Sequence, residues 1–184
     1  ARGAAPTGLA WLAATFATAE YQHVTMFAQF PFLGTTQLGL IDQQTYKSFT
    51  LYWLYRTLAQ EFPPGTLILP VQVPARAGVV ALAALAPDGR SARVVIANTL
   101  VAHATDVNGK GVAREVQLDL AATFQGHSAP ATAHATVWTF DAHTSPATGP
   151  TPRTLPIFRT AAGGPAVQDQ LSGYGVDVIQ IPLG

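Results

Sequence analysis

The sequence predicts an α/β segment followed by an all-β region that folds as an antiparallel β-sandwich. Within the first 64 residues, apolar side chains recur at helical spacing on both sides of one alternating stretch. From residue 66 onward, the chain consists of short runs rich in β-branched residues and separated by turn-forming residues. The predicted boundary therefore divides the chain into 1–64 and 65–184.

The α/β segment contains a predicted helix, strand and helix. Apolar spacing and abundant alanine in "TGLAWLAATFATAEYQ" predict a helix over residues 8–21. The alternation in "HVTMFAQF" predicts a strand over residues 23–30. A second helix is predicted over residues 45–61, because "PPG" stops the pattern at Pro63. Since a parallel strand needs neighbouring strands, we expect further α/β elements upstream.

The all-β region contains six predicted strands with turn residues between them. Turn chemistry is clearest at Pro87-Asp88-Gly89 and Asn108-Gly109. Residues 141–165 lack periodicity and are predicted to form a long surface loop. Short strands at this spacing are typical of an antiparallel sandwich. The predicted strands are 66–73, 78–85, 92–100, 115–120, 132–140 and 176–183.

Composition excludes several classes of partner and site. Ten basic residues balance ten acidic ones and only 11% of the chain is charged, so no nucleic acid or anionic membrane partner is expected. The chain has no cysteine, which excludes disulfides and cysteine-ligated metal. No apolar run approaches the roughly 20 residues of a membrane-spanning helix. The start "ARGAAPTG" has neither an initiator Met nor a signal-peptide pattern, which suggests a processed or excised chain.

Motifs for metal binding or nucleophilic catalysis are weak. The five histidines are dispersed without ligand spacing, and "DVNGKGVAREVQ" fails as a calcium loop because Lys110 and Gln117 stand where oxygen ligands are needed. The sequence carries no nucleophile elbow, P-loop or dinucleotide-binding fingerprint. Glu20 and Asp42 make a poor catalytic pair, because they are expected at opposite ends of the predicted strand. No metal and no cofactor are predicted.

The best candidate for a binding site is the predicted strand and its following loop. In a barrel of alternating strands and helices, active-site residues come from the carboxyl ends of strands and the loops that follow. Four candidate residues occupy that position: Gln29, Phe30, Phe32 and Gln37. Amides and aromatic rings suit sugar recognition, since hydroxyl groups pair with amides and C–H faces stack on rings. The alternative is that Phe30 and Phe32 belong to the core and Gln29 is a satisfied buried amide.

Residues 11–69 resemble a known enzyme family. The pattern runs from Trp11-Leu12, through Gln29 at a strand end, the Phe32 to Gly34 turn and Leu40-Ile41-Asp42, to the aromatic pair Tyr52-Trp53. It is similar to the last part of the barrel in retaining glycoside hydrolases built as a (β/α)₈ barrel with a trailing β-sandwich. Among these enzymes, the segment most resembles the heparanase and β-glucuronidase family. It is also similar to the xylosidase and arabinofuranosidase families. The closing "LSGYGVDVIQIPL" is similar to the end of the family's sandwich.

The resemblance implies a hydrolase with two glutamates whose catalytic carboxylates both lie outside this chain. The chain alone is then expected to be inactive, with a missing N-terminal barrel polypeptide and a carbohydrate as partners. By this resemblance, residues 1–64 are expected to be the C-terminal end of that barrel, and the protein is expected outside the cytoplasm, extracellular or periplasmic. Ala28 stands where the family carries a basic residue, which argues against an acidic sugar.

Two alternatives from other classes stay open. One is a non-catalytic extracellular structural protein that assembles with copies of itself. Low charge and a long polar loop suit such self-assembly. The other is a carbohydrate-binding sandwich that presents aromatic residues on one face. Trp138 is the candidate aromatic residue for that face, although a lone Trp more often belongs to the core.

Overall fold

The computed structural model describes residues 6–24, 33–34, 39–74, 78–100, 111–120, 129–130 and 133–184. Within these residues the protein is mostly β-sheet with two helices. The helices are α1 (Pro6–Tyr21) and α2 (Thr50–Glu61). The strands are β1 (Leu33–Gly34), β2 (Ile41–Asp42), β3 (Leu67–Leu69), β4 (Val79–Leu85), β5 (Ser91–Asn98), β6 (Arg114–Asp119), β7 (His134–Phe140), β8 (Arg153–Pro156), β9 (Phe158–Arg159), β10 (Pro165–Leu171) and β11 (Val176–Pro182).

The first predicted helix is confirmed. Helix α1 contains the predicted range and begins two residues earlier, at Pro6, a residue type that suits the first helical position. Its buried side chains recur at helical spacing: Leu9, Leu12, Ala13 and Ala17. Of the strand predicted over residues 23–30, His23 and Val24 are described and lie in the turn that follows α1, and residues 25–30 lie outside the described part of the chain.

The second helix begins later than predicted, at Thr50 instead of residue 45. The preceding residues form a tight turn in which the N–H of Asp42 donates to the carbonyl of Lys47 at 2.8 Å. Tyr46 in this turn has a φ of 54°, which no right-handed helix accommodates. The aromatic and apolar spacing of residues 45–49 therefore did not indicate helix, because a local turn uses their backbone groups.

Six strands form one antiparallel sheet in the order β3-β4-β5-β11-β7-β8. The predicted Pro87-Asp88-Gly89 turn joins β4 to β5, and Gly89 takes a φ of 70° there. The last strand, β11, lies between β5 and β7 and pairs with both. The end of the chain therefore occupies the interior of the sheet.

A smaller sheet of three strands has the order β6-β10-β9. The prediction of a surface loop over residues 141–165 is wrong in part, because this stretch contains β8 and β9. Strand β8 pairs with β7 along one edge, where Pro156 is tolerated since an edge strand leaves one side of its backbone unpaired. Proline and threonine obscured the strand period in the sequence. Strand β10, whose "PAVQDQL" was also not predicted, alternates from Val167 to Leu171 between buried and exposed side chains.

Two hydrophobic cores cover opposite faces of the six-stranded sheet. The helix-side core joins both helices to the sheet through residues such as Leu12, Leu54 and Val178. The second core combines residues of both sheets, such as Ile179 from β11 and Val167 from β10. The predicted division at residues 64 and 65 stays a prediction, and the helix-side core includes side chains from both parts.

The segment after β7 packs against the start of α2. The indole N–H of Trp53 donates to the carbonyl of Pro146 at 2.9 Å, and the hydroxyl of Ser48 donates to the same oxygen at 2.6 Å. Gly149 is buried against the ring, since a Cβ there would lie 2.7 Å from Cδ2 of Trp53. These contacts connect the sheet to the helix over more than 90 residues of sequence.

We expect Gly149→Ala to destabilise the protein more than Gly163→Ala. Both glycines have a left-handed φ, at 72° and 83°, so each substitution carries a backbone cost of about 1–2 kcal/mol. Only the substitution at Gly149 also displaces the Trp53 ring, because a Cβ at Gly163 meets nothing within 4 Å. Urea unfolding of the two variants measures the difference, and equal unfolding free energies would show that the Trp53 contact contributes nothing.

Candidate functional site

The four predicted binding residues, Gln29, Phe30, Phe32 and Gln37, all lie outside the described part of the chain. Their role therefore stays a prediction. The structure does describe the two strands that flank the loop containing Gln37. Strands β1 and β2 run parallel, with Leu33 opposite Ile41 and Gly34 opposite Asp42. Because parallel strands end at the same edge, Gly34 and Asp42 lie side by side at the edge where a binding loop is expected.

Asp42 at this edge organises the turn that leads toward α2. Its Oδ1 accepts the backbone N–H of Gln44 at 3.0 Å, the N–H of Thr45 at 2.7 Å and the Thr45 hydroxyl at 3.0 Å. The hydrogen bonds from Thr45, and then that from Gln44, hold the pKa of Asp42 below its usual value. The Asp42 carboxylate thus accepts hydrogen bonds that stabilise the turn. Tyr46 in the same turn is 75% exposed.

Helix α1 presents a second, uncharged face away from the sheet. We call this the outer face of α1, and it borders a cavity of about 450 Å³. Trp11 on this face is 58% exposed and Val24 is 50% exposed. The cavity is lined by Trp11, Ala14, Thr15, Thr18, Ala19, Gln22 and Val24.

A polar cluster lies between the two sheets, on the same side of the six-stranded sheet as the second core. Arg153 on β8 donates through Nη2 to both carboxylate oxygens of Asp169 at 2.7 Å, and Oδ2 of Asp177 lies 3.4 Å from the same nitrogen. Its Nε donates to the hydroxyl of Thr139 at 3.2 Å. The side chains of Asp169 and Asp177 are 3% and 1% exposed, whereas that of Arg153 is 38% exposed. We call these four residues the inter-sheet cluster.

The inter-sheet cluster holds two carboxyl groups beside one guanidinium group. Burial, and then the nearby charge of Asp169, raise the pKa of Asp177 from 3.8 to about 8. The hydrogen bond with Thr139 and the positive charge of Arg153 act in the opposite direction. Asp177 is therefore largely protonated at neutral pH, so the cluster holds one carboxylate and one carboxylic acid around Arg153.

Sequence reasoning did not identify the inter-sheet cluster. Arg153 fell within the predicted loop, and β10 with Asp169 was not predicted. One signal was available, because Asp177 is a single charged residue in the apolar run "VDVIQI". A charge in such a strand needs a partner on another element, but the sequence alone does not indicate which one.

The described part of the chain also bears on metal binding, membrane insertion and the predicted role of Trp138. Those residues contain no group of three or more His, Asp or Glu side chains that could hold a metal ion. They also contain no helix that is long and apolar enough to cross a membrane. Trp138, the candidate for sugar stacking on the sandwich, is partly buried and packs against the helix-side core. This placement agrees with the core alternative for Trp138.

No protein-family model matches the sequence, and no curated protein matches it closely. Solved structures show instead that the chain shares its fold with glycoside hydrolases. A family 30 subfamily 8 xylanase from Clostridium acetobutylicum matches 99% of the chain with a TM-score of 0.63 and 11% identity. An arabinose-bound α-L-arabinofuranosidase of family 51 matches 98% with a TM-score of 0.64 and 16% identity. The family 51 arabinofuranosidase from Xanthomonas axonopodis pv. citri matches 94% with a TM-score of 0.59 and 16% identity.

These similarities show that the chain shares a fold with glycoside hydrolases that are much longer than it is. The chain spans 40% of the xylanase, and 28% and 35% of the two arabinofuranosidases. The resemblance to glycoside hydrolases noted in the sequence is thus confirmed at the level of fold. The closer resemblance to the heparanase and β-glucuronidase family stays a proposal. At these identities the fold alone is shared, and activity is a separate question.

We expect the unfolding free energy to fall as pH rises from about 4 to about 8. In this window the folded state retains a proton on Asp177, whose pKa is raised from 3.8 to about 8, while the unfolded state has released it. The greatest slope from one such group is about 1.4 kcal/mol per pH unit. Asp177→Asn should flatten this dependence, since an amide does not ionise.

The matched control is Asp119→Asn, which replaces an exposed carboxylate on β6. Urea unfolding at several pH values between about 4 and about 8 measures the unfolding free energy of the unsubstituted protein and of both variants. The control should keep the slope of the unsubstituted protein. An Asp177→Asn variant with that same slope would show that Asp177 is not the group that titrates.

Proposed function

We propose that this chain is the C-terminal part of a retaining glycoside hydrolase that acts on a carbohydrate. The observation that carries the proposal is the match of 94–99% of the chain to glycoside hydrolase structures of which it spans only 28–40%. A (β/α)₈ barrel needs about 250 residues, more than this chain can supply beside its sheets. The two catalytic glutamates, with carboxyl groups about 5 Å apart in a retaining enzyme, are then carried by the remainder of the protein.

In this proposal, α1 and α2 are the last helices of the barrel and the two sheets form a β-sandwich that braces them. The helix-side core supports this arrangement, because Leu12 of α1 and Leu54 of α2 are fully buried against the six-stranded sheet. The second core, shared by the two sheets, supports the sandwich. The predicted strand over residues 23–30 would close the barrel between the helices.

The binding residues proposed for the sugar are Gln29, Phe30, Phe32 and Gln37. The parallel pairing of β1 with β2 supports a binding loop here, because it brings Gly34 and Asp42 to one edge. Amide groups would bond sugar hydroxyls and aromatic rings would stack on C–H faces. The chain thus supplies one wall of a sugar subsite whose catalytic groups lie elsewhere in the protein.

Pentose-containing glycans are the first substrates to test. The solved structures with this fold include a xylanase and arabinofuranosidases, whereas the sequence resemblance adds β-glucuronides. Ala28, in place of a basic residue, favours a neutral sugar over an acidic one. We extend the proposal to a location outside the cytoplasm, where polymeric glycans are found.

Joining the chain to the segment encoded upstream of Ala1 should restore hydrolysis of a chromogenic xyloside, arabinofuranoside or glucuronide. The chain alone should release no chromophore, because it lacks both catalytic carboxyl groups. Absorbance of the released aglycone measures the activity. A joined protein that is folded but inactive across the panel would contradict the proposed function.

In the active joined protein, Gln29→Ala should lower kcat/KM about tenfold, equivalent to about 1.4 kcal/mol of lost transition-state binding. The melting temperature should stay unchanged if Gln29 contacts the sugar. Gln60→Ala, at an exposed position of α2, is the matched control and should change neither quantity. A lowered melting temperature with an unchanged kcat/KM would instead identify Gln29 as a buried structural amide.

A further inference from the structure

The three-stranded sheet has an outer face that points away from the six-stranded sheet. Val167 and Leu171 of β10 point into the second core, so Gln168 and Gln170 point outward by the alternation of a strand. Their cross-strand partners on β6 lie on the same side, as does the residue of β9 that pairs with Ala166. The described residues of this outer face with large side chains are Glu115, Gln117, Asp119, Phe158, Gln168 and Gln170.

Two cavities lie along the outer face of the three-stranded sheet. One has a volume of about 550 Å³ and is lined in part by Glu115 and Gln168. The other has a volume of about 640 Å³ and is lined in part by Gln117 and Asp119. Each has the size of an ordinary ligand pocket, and the two adjoin at Phe158, which lines both. Adjoining cavities of this kind suit an extended ligand with repeating units better than a compact one.

Glutamine side chains on the outer face are held by neighbouring carboxylates. Nε2 of Gln168 donates to Oε1 of Glu115, and Nε2 of Gln117 donates to Oδ1 of Asp119 at 2.6 Å. Each amide has a second N–H and a carbonyl oxygen, and each carboxylate has a second oxygen. The two pairs therefore place donors and acceptors side by side before a ligand arrives, which lowers the ordering cost of binding. Neighbouring hydroxyl groups, each a donor and an acceptor, match this arrangement.

The charge of the cavity lining disfavours an anionic ligand. The described lining of the two cavities includes one guanidinium group, that of Arg159, and three carboxyl groups: Glu115, Asp119 and Asp169. A phosphate or a uronic acid would therefore meet an excess of like charge. A cationic ligand gains little, because Asp169 is paired with Arg153 and each of the other two carboxylates already accepts an amide N–H. A neutral polar ligand fits this lining best.

Phe158 supplies an apolar surface where the two cavities meet. Its side chain is only partly buried, although an aromatic ring gains most from full burial. A ring that stays accessible among amides can stack on the C–H face of a sugar while the amides bond its hydroxyl groups.

We propose that the outer face of the three-stranded sheet binds a neutral glycan chain. The amide and carboxylate pairs bond the hydroxyl groups, Phe158 stacks on one sugar ring, and the excess of carboxylates rejects acidic sugars. Binding at this face requires no hydrolysis by the protein. Glycan binding by the chain alone and hydrolysis by the joined protein can therefore fail independently of each other.

The chain alone, labelled with ¹⁵N, is titrated with three neutral oligosaccharides: xylohexaose, cellohexaose and arabinohexaose. At least one should shift the side-chain amide resonances of Gln117, Gln168 and Gln170, and hexagalacturonate should shift them less. Three outcomes would overturn the proposal: no binding of any neutral oligosaccharide at millimolar concentration, shifts confined to other parts of the chain, or tighter binding of hexagalacturonate. Hexalysine is titrated in parallel, and shifts of these amides by hexalysine alone would identify a basic peptide as the occupant instead.

The double substitution of Gln168→Ala with Gln170→Ala should raise the Kd for the bound oligosaccharide about tenfold, because it removes two groups that bond hydroxyls. Gln60→Ala, an exposed glutamine of α2, is the matched control and should leave the Kd unchanged. All three glutamines are exposed, so the variants should keep the urea midpoint of the unsubstituted chain. Equal Kd values for the double variant and the control would overturn the proposal.

Discussion

Burial of the six-stranded sheet on both faces is the constraint on which the rest of the structure depends. Strand β11 shows it directly, since Val178 faces the helices and Ile179 faces the second sheet, and both are fully buried. A sheet with two apolar faces needs a cover on each. The helices supply one cover and the three-stranded sheet supplies the other, so neither cover can be removed without exposing a core.

The same constraint explains the inter-sheet cluster. Asp177 lies on β11 within this doubly covered sheet, where an isolated carboxylate is strongly disfavoured. Arg153 reaches it from the edge strand β8 and also binds Asp169 on the opposite sheet. Holding Asp177 as a carboxylic acid leaves one carboxylate for one guanidinium group, so the cluster can join the two sheets without a net buried charge.

The helix-side cover leaves part of α1 outside the core. Helix α1 contributes one apolar face to the sheet and leaves an equally uncharged face outward. Trp11 on this outward face is 58% exposed.

Local patterns in the sequence determined α1, the interior strands and the turn at Asp88-Gly89, because each depends on side chains that are near neighbours in the chain. Only the tertiary structure decided that α2 begins at Thr50 and that β8 and β9 form within a proline-rich stretch. The turn at residues 42–47 uses the backbone groups that precede α2, and β8 and β9 form because they pair with β7 and β10. The inter-sheet cluster likewise joins residues from four strands, and no periodicity within one segment specifies such a meeting. The role of Gln29, Phe30, Phe32 and Gln37 stays a prediction from the sequence, since a binding site is completed by the elements that face it.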